Sequence, residues 1–208
     1  MTDIQIKDEM DILREIGSIS AAHGSTALSE MLGRPVKLSM PSLQVIYGKD
    51  LARALAIEGP IISLHTQMLT GLNGKIIFIL EEKSSYKFVD ICYKSRSQEQ
   101  KPSSLTEMSM SIIKEIGNIV TSAYVNSLGY YLKKLIIPSL PVLMNAPFSE
   151  IIKMSMTTAP QEQVLVIESV FEEKQEKIKG NFWLILSHQA AQAVQDACKK
   201  YLEDLNRN

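Results

Sequence analysis

Glu115-Ile116-Gly117-Asn118-Ile119 lies inside an apolar stretch with helical spacing, and Glu15-Ile16-Gly17-Ser18-Ile19 lies inside another, one hundred residues earlier. The match extends in both directions. Written as patterns, the copies are Asp11-x3-Glu15-x2-Ser18-x22-Pro41 and Ser111-x3-Glu115-x2-Asn118-x22-Pro141. Further along, Gly74-Lys75-Ile76-Ile77-Phe78-Ile79-Leu80 is answered by Gly180-Asn181-Phe182-Trp183-Leu184-Ile185-Leu186. A chain that repeats a helix and then a strand in the same order predicts two similar halves, residues 1–100 and 101–208, joined as one domain about a pseudo-twofold axis. The predicted fold class is α+β: two pseudo-symmetric repeats, each with a long motif-bearing helix, packed on a shared mixed β-sheet.

Periodicity and turn residues locate the elements. The first half reads as a long helix over 7–32 stopped by Gly33-Arg34-Pro35, a strand over 36–46 and a short helix over 50–56. Strands over 61–69 and 75–80 follow, joined through Thr70-Gly71-Leu72-Asn73-Gly74, and then a helix over 85–93. A polar connector, 94–104, leads to a long helix over 105–134, strands over 136–144, 151–157, 164–171 and 179–186, and a last helix over 188–205.

With 208 residues the chain can bury a substantial core, and its net charge of −1 comes from interspersed positive and negative residues. That balance gives no electrostatic footprint for nucleic acid or for an anionic membrane surface. No apolar run reaches the roughly 20 residues that span a bilayer, and Met1-Thr2-Asp3-Ile4-Gln5 has no basic segment followed by an apolar one. The reading is a cytoplasmic protein without membrane insertion or nucleic-acid binding, whose partner is a protein or a small molecule. Cys92 and Cys198 form no CxxC pair and are expected to be reduced, buried or half-buried thiols.

At about 100° per residue, Ser111, Glu115 and Asn118 fall within about 60° of arc and share one helix face. Ile112, Ile113, Ile116, Ile119, Val120 and Ala123 take the opposite side and fix the core. In the first copy Asp11, Glu15 and Ser18 point outward while Ile12, Leu13, Ile16 and Ile19 point inward. One polar helix face needs no function. Two that match residue for residue, with the following proline in register, have little structural reason to do so. Gly17 and Gly117 each cost about 1 kcal/mol relative to alanine inside a helix, so something approaches closely there. The other long helix and a docked partner both fit that requirement, and helix packing alone is sufficient.

Other residues carry less. His23 falls on the apolar side of its helix and is expected in the core or between helices. His65 sits in a strand pattern and His188 opens the last helix, so no two histidines have metal-ligand spacing with a third donor, and no metal site is expected. No GxxxxGK or GxGxxG occurs. Met108, Met110, Met154 and Met156 are expected to fill gaps in the core, as is Trp183.

The pattern Asp/Ser-x3-Glu-x2-Asn-x22-Pro, carried in duplicate across the whole chain, resembles that of the CheC, CheX and FliY phosphatases of bacterial chemotaxis. Two copies in a short chain resemble the CheC branch; CheX has one, and FliY adds a C-terminal flagellar module. The resemblance implies hydrolysis of the aspartyl phosphate on the response regulator CheY. It implies that Glu115 docks against the regulator's active-site lysine and that Asn118 holds the attacking water. Those roles suit the side chains, because a neutral amide accepts a hydrogen bond from water without bringing negative charge to the phosphoryl group. The regulator's own Mg²⁺ and lysine would neutralise the phosphoryl charge, so no cofactor is expected on this chain. Ser111 is at best an accessory contact, and Pro141 shapes the fold.

The first copy, Asp11, Glu15 and Ser18, departs from the pattern where the amide should be. A hydroxyl on a shorter stem leaves the water unplaced, so a weak or silent first site is expected. Loss of one catalytic hydrogen-bonding group costs on the order of 10²- to 10³-fold. The alternative from another class is a non-catalytic or weakly catalytic binding protein that captures phosphorylated CheY or regulates the receptor deamidase CheD. A structural member of the flagellar switch is a third reading.

Overall fold

The structure is a computed structural model that describes residues 3–96, 106–155 and 159–206. A 30-residue helix, α1 (Asp3–Leu32), opens the chain. It stops where Gly33 takes a left-handed φ of 61° and the Arg34 N–H donates to the Ser29 carbonyl. Two short strands, β1 (Val36–Leu38) and β2 (Ser42–Tyr47), stand where one was predicted. Pro41 has no N–H to give a ladder, so the pairing breaks at Ser39-Met40-Pro41 and resumes after it. A 3₁₀ turn leads into α2 (Leu51–Ala54), and the hairpin β3 (Ile61–Thr70) and β4 (Gly74–Glu81) runs into α3 (Glu82–Arg96). The predicted connector lies, from residue 97 to 104, outside the described residues.

The second half repeats the order. Helix α4 (Glu107–Leu132) starts at Thr106, whose hydroxyl accepts from the Ser109 N–H at 3.2 Å, and ends at Lys133 in the left-handed region. Strands β5 (Ile137–Pro138) and β6 (Val142–Ala146) are again split, here around Ser139-Leu140-Pro141. Then come α5 (Phe148–Ser155), the hairpin β7 (Gln163–Glu173) and β8 (Ile178–Ser187), and α6 (His188–Asn206). The strand predicted over 151–157 is therefore helix α5 up to Ser155, with 156–158 outside the described residues. Phe148, Ile151 and Ile152 are all buried at i, i+3, i+4 spacing, which places them on one helix face.

The eight strands form a sheet in the order β1-β7-β8-β4-β3-β5, with β2 also on β7 and β6 also on β3. Every pairing among the described residues is antiparallel, where a mixed sheet was predicted. Symmetry supplies the reason. Ile77 of β4 pairs with Trp183 of β8, and the two are 106 residues apart, the same offset that separates Gly74 from Gly180. They hold matching places in the repeated sequence and are both buried against the same side of the sheet, a pairing that fits a pseudo-twofold axis perpendicular to it. Such an axis reverses strand direction, and hairpins do so as well.

The same axis makes the halves exchange edges. Strand β2 of the first half pairs with β7 of the second (Leu43 with Ile167), and β6 of the second pairs with β3 of the first (Leu143 with Leu64). On one side of the sheet, Leu13, Ile16 and Leu28 of α1 and Ile113, Ile116 and Leu128 of α4 pack with Leu64, Phe78, Ile167 and Phe182. On the other, α2 with Leu55 just after it and α5 contribute Leu51, Leu55, Phe148 and Ile151 over Ile77, Ile79, Trp183 and Ile185. Trp183 is buried as expected, with Phe148 edge-on at 5.7 Å.

Candidate active site

The two motif helices share one exposure pattern. Ser111 and Glu115 are exposed and Asn118 is half-buried; Asp11 and Glu15 are exposed and Ser18 is half-buried. Residues 16, 17 and 20 are buried, as are 116, 117 and 120. Each triplet keeps to its own helix, so the wheel argument holds for the polar face in both copies. The inward set is uneven: Leu13, Ile16, Ile112, Ile113, Ile116 and Val120 are buried, whereas Ile12, Ile19, Ile119 and Ala123 are only half-buried.

The backbone at the site is held from behind. A β carbon at residue 117 would collide with Cδ1 of Leu64 on β3. At residue 17 it would meet Pro41 Cγ at 3.4 Å and Ile167 Cγ2 at 3.7 Å. Leu64 and Ile167 occupy equivalent places, opposite Leu143 and Leu43. Gly117 thus answers to the sheet beneath it, whereas at residue 17 buried Pro41 and Ile167 leave ordinary contact distances. The close approach of α1 to α4 occurs elsewhere, at Gly24, where a β carbon would lie 3.5 Å from Val120 Cγ1.

That contact explains a misplaced residue. His23 is exposed, not in the core or between helices. Beyond Ile16 the buried strip of α1 runs through Ala21, Gly24 and Leu28, turning toward α4 and away from position 23. Met108 is exposed as well, at 63%, and fills no gap. The Met154 side chain and Met156 lie outside what is described.

The charges on the two faces differ. In α1, Arg14 Nη1 donates to Asp11 Oδ1 at 2.7 Å, between two exposed side chains. In α4 the equivalent residues are Lys114, exposed, and Ser111, which offers no carboxylate. Lys114 has no ion-pair partner among the described residues, and the Asn118 amide has no side-chain hydrogen bond among them. An amide one turn from a carboxylate, on a helix face whose neighbours are exposed, can meet a partner surface and orient a water there.

The histidines stay apart from these faces. His65 is buried in β3, where its Nε2 shares a hydrogen bond of 2.9 Å with Ser63 Oγ. Burial first, and then the charge of Lys75, hold its pKa down at about 4. His188 begins α6 and lines a cavity of about 680 Å³ with Tyr47, Asn73, Gln163 and Ser187, none of them a motif residue. Among the described residues no group of three or more His, Cys, Asp or Glu could hold a metal ion, and no helix is long and apolar enough to cross a membrane.

Known proteins resemble the chain at this site and across the fold. The CheC-like family profile matches residues 108–144, the segment that contains Ser111, Glu115, Asn118 and Pro141. Over 184 residues the chain is 24% identical to the CheY-P phosphatase CheC of Bacillus subtilis (strain 168), a match covering 86% of this chain and 88% of that protein. Over 128 residues it is 26% identical to the flagellar motor switch phosphatase FliY of the same bacterium, covering 62% of this chain and 33% of that longer protein. The crystal structure of Thermotoga maritima FliY superposes with a TM-score of 0.76 at 22% identity, covering 97% of this chain and 98% of that one. At that identity the superposition speaks for the fold alone.

Proposed function

We propose that this chain, a member of the CheC, CheX and FliY family, is a cytoplasmic phosphatase that hydrolyses the aspartyl phosphate of phosphorylated CheY, mainly through α4. The observation that carries the reading is the placement of exposed Glu115 and half-buried Asn118 one turn apart on one face of α4. No cavity has to admit the substrate, because the reacting group is carried on another protein's surface.

In this reading Glu115 pairs with the regulator's active-site lysine and sets the register of the helix. Asn118 then reaches the acyl phosphate and its carbonyl oxygen accepts a hydrogen bond from a water, holding that water in line. Water oxygen bonds to phosphorus, the bond from phosphorus to the aspartyl oxygen breaks, and the products are inorganic phosphate and a free carboxylate. Mg²⁺ and lysine on the regulator would offset part of the phosphoryl charge, so this chain needs no cofactor of its own. On α1, Ser18 leaves docking through Glu15 without an amide to place the water, which favours capture over turnover at that face. CheD stands as a second candidate partner. The test is phosphate release from phosphorylated CheY with and without the protein: faster release supports the reading, and an unchanged rate refutes it.

A further inference from the structure

We infer that Lys114 steers and holds the phosphorylated surface on the α4 site, and that it makes the site prefer the phosphorylated regulator. The inference rests on the phosphatase reading above and adds to it a residue outside the Glu-x2-Asn pair.

The placement comes from helix geometry. Lys114 precedes Asn118 by four residues, which sets the two about 40° apart around the helix and about 6 Å apart along it. Its side chain is exposed. The repeat provides an internal comparison, because a cation occupies the same place in both copies, Arg14 and Lys114. In α1 that cation is engaged by Asp11 at 2.7 Å, and the face Asp11, Arg14, Glu15 carries one net negative charge. In α4 serine replaces the aspartate, and Lys114 with Glu115 leaves the face neutral, with both charges within about one turn of the amide. The copy that keeps the amide is the copy that leaves its cation open to an incoming anion.

An acyl phosphate is a dianion at neutral pH. A single positive charge within one helical turn of it, in water, changes association by about threefold to tenfold at low ionic strength, and salt screens the effect within about 10 Å. The flexible ammonium acts as a point charge, so it assists approach without demanding one geometry. Turnover depends on Asn118 and the placed water, and Lys114 leaves it nearly unchanged.

The experiment measures steady-state phosphate release from phosphorylated CheY by the wild type, Lys114→Gln and Lys114→Arg, at low and at high salt, with circular dichroism to verify equal folding. Lys114→Gln is expected to raise KM about threefold to tenfold at low salt with kcat within twofold of wild type. The difference should shrink at high salt, and Lys114→Arg should behave as wild type. An unchanged KM for Lys114→Gln at low salt, or a loss that salt does not alter, overturns the role of Lys114 while the phosphatase reading stands. If the wild type itself releases no phosphate, both fall together.

Discussion

Leu64 fills the space that a β carbon on residue 117 would need, while the equivalent carbon on residue 17 would rest at an ordinary 3.4 Å from Pro41 Cγ. The two glycines occupy the same place in the repeat yet face different demands. Gly117→Ala must push a buried leucine from its position in a closed core, at about 1–3 kcal/mol. Gly17→Ala meets no such obstacle and gains helix propensity of up to about 1 kcal/mol. Urea unfolding of both variants is expected to show a clear loss for the first and no loss for the second. Equal losses would mean that Leu64 is not what sets the requirement.

His65 makes stability depend on pH. The unfolded imidazole takes up a proton near its ordinary value of 6.5, whereas the folded one does so only near 4. Between those values the unfolded state binds more protons, so stability is full above about pH 6.5 and falls as the pH drops toward 4. The integrated loss is on the order of 3 kcal/mol. His65→Leu should remove this component. Comparing the urea midpoints of wild type and variant at pH 7 and pH 4.5 tests it, and identical pH slopes would contradict it.

The first copy serves as a control for the second. Ser18 has the half-buried setting of Asn118, on a helix with the same exposed partner positions. Adding Ser18→Asn to Asn118→Ala should therefore recover part of the phosphate release lost in Asn118→Ala alone. Indistinguishable rates would mean that the first face has diverged in more than one residue. Exposed Ala22 and His23 beside it, and the charge that Asp11 adds, are where such divergence would lie.

The long helices, the strands of both hairpins and the polar faces were legible because each depends on local spacing. Two kinds of feature were not. Ile151-Ile152 invites a β assignment where helix α5 stands, although the repeat holds the answer: the helical pattern of positions 50–56 recurs one hundred residues later. The exchange of edge strands, β2 onto β7 and β6 onto β3, joins residues more than one hundred positions apart or across the halves, and no local pattern records it. His23 was misplaced for a related reason. A helical wheel assumes one buried direction, and α1 turns from the sheet toward α4 along its length. Pro41 was recognised as part of the motif's spacing, but only the packed structure shows that its ring lies against Gly17.

The most direct measurement is phosphate release from phosphorylated CheY with wild type and with Asn118→Ala. The side chain is half-buried on the outer face of α4 and makes no side-chain hydrogen bond among the described residues, so its removal should leave stability nearly unchanged. Wild type should accelerate release, and Asn118→Ala should lose on the order of 10²- to 10³-fold of that acceleration while its circular dichroism and urea midpoint match wild type. Near-full activity in a folded Asn118→Ala protein would contradict the assignment of the site.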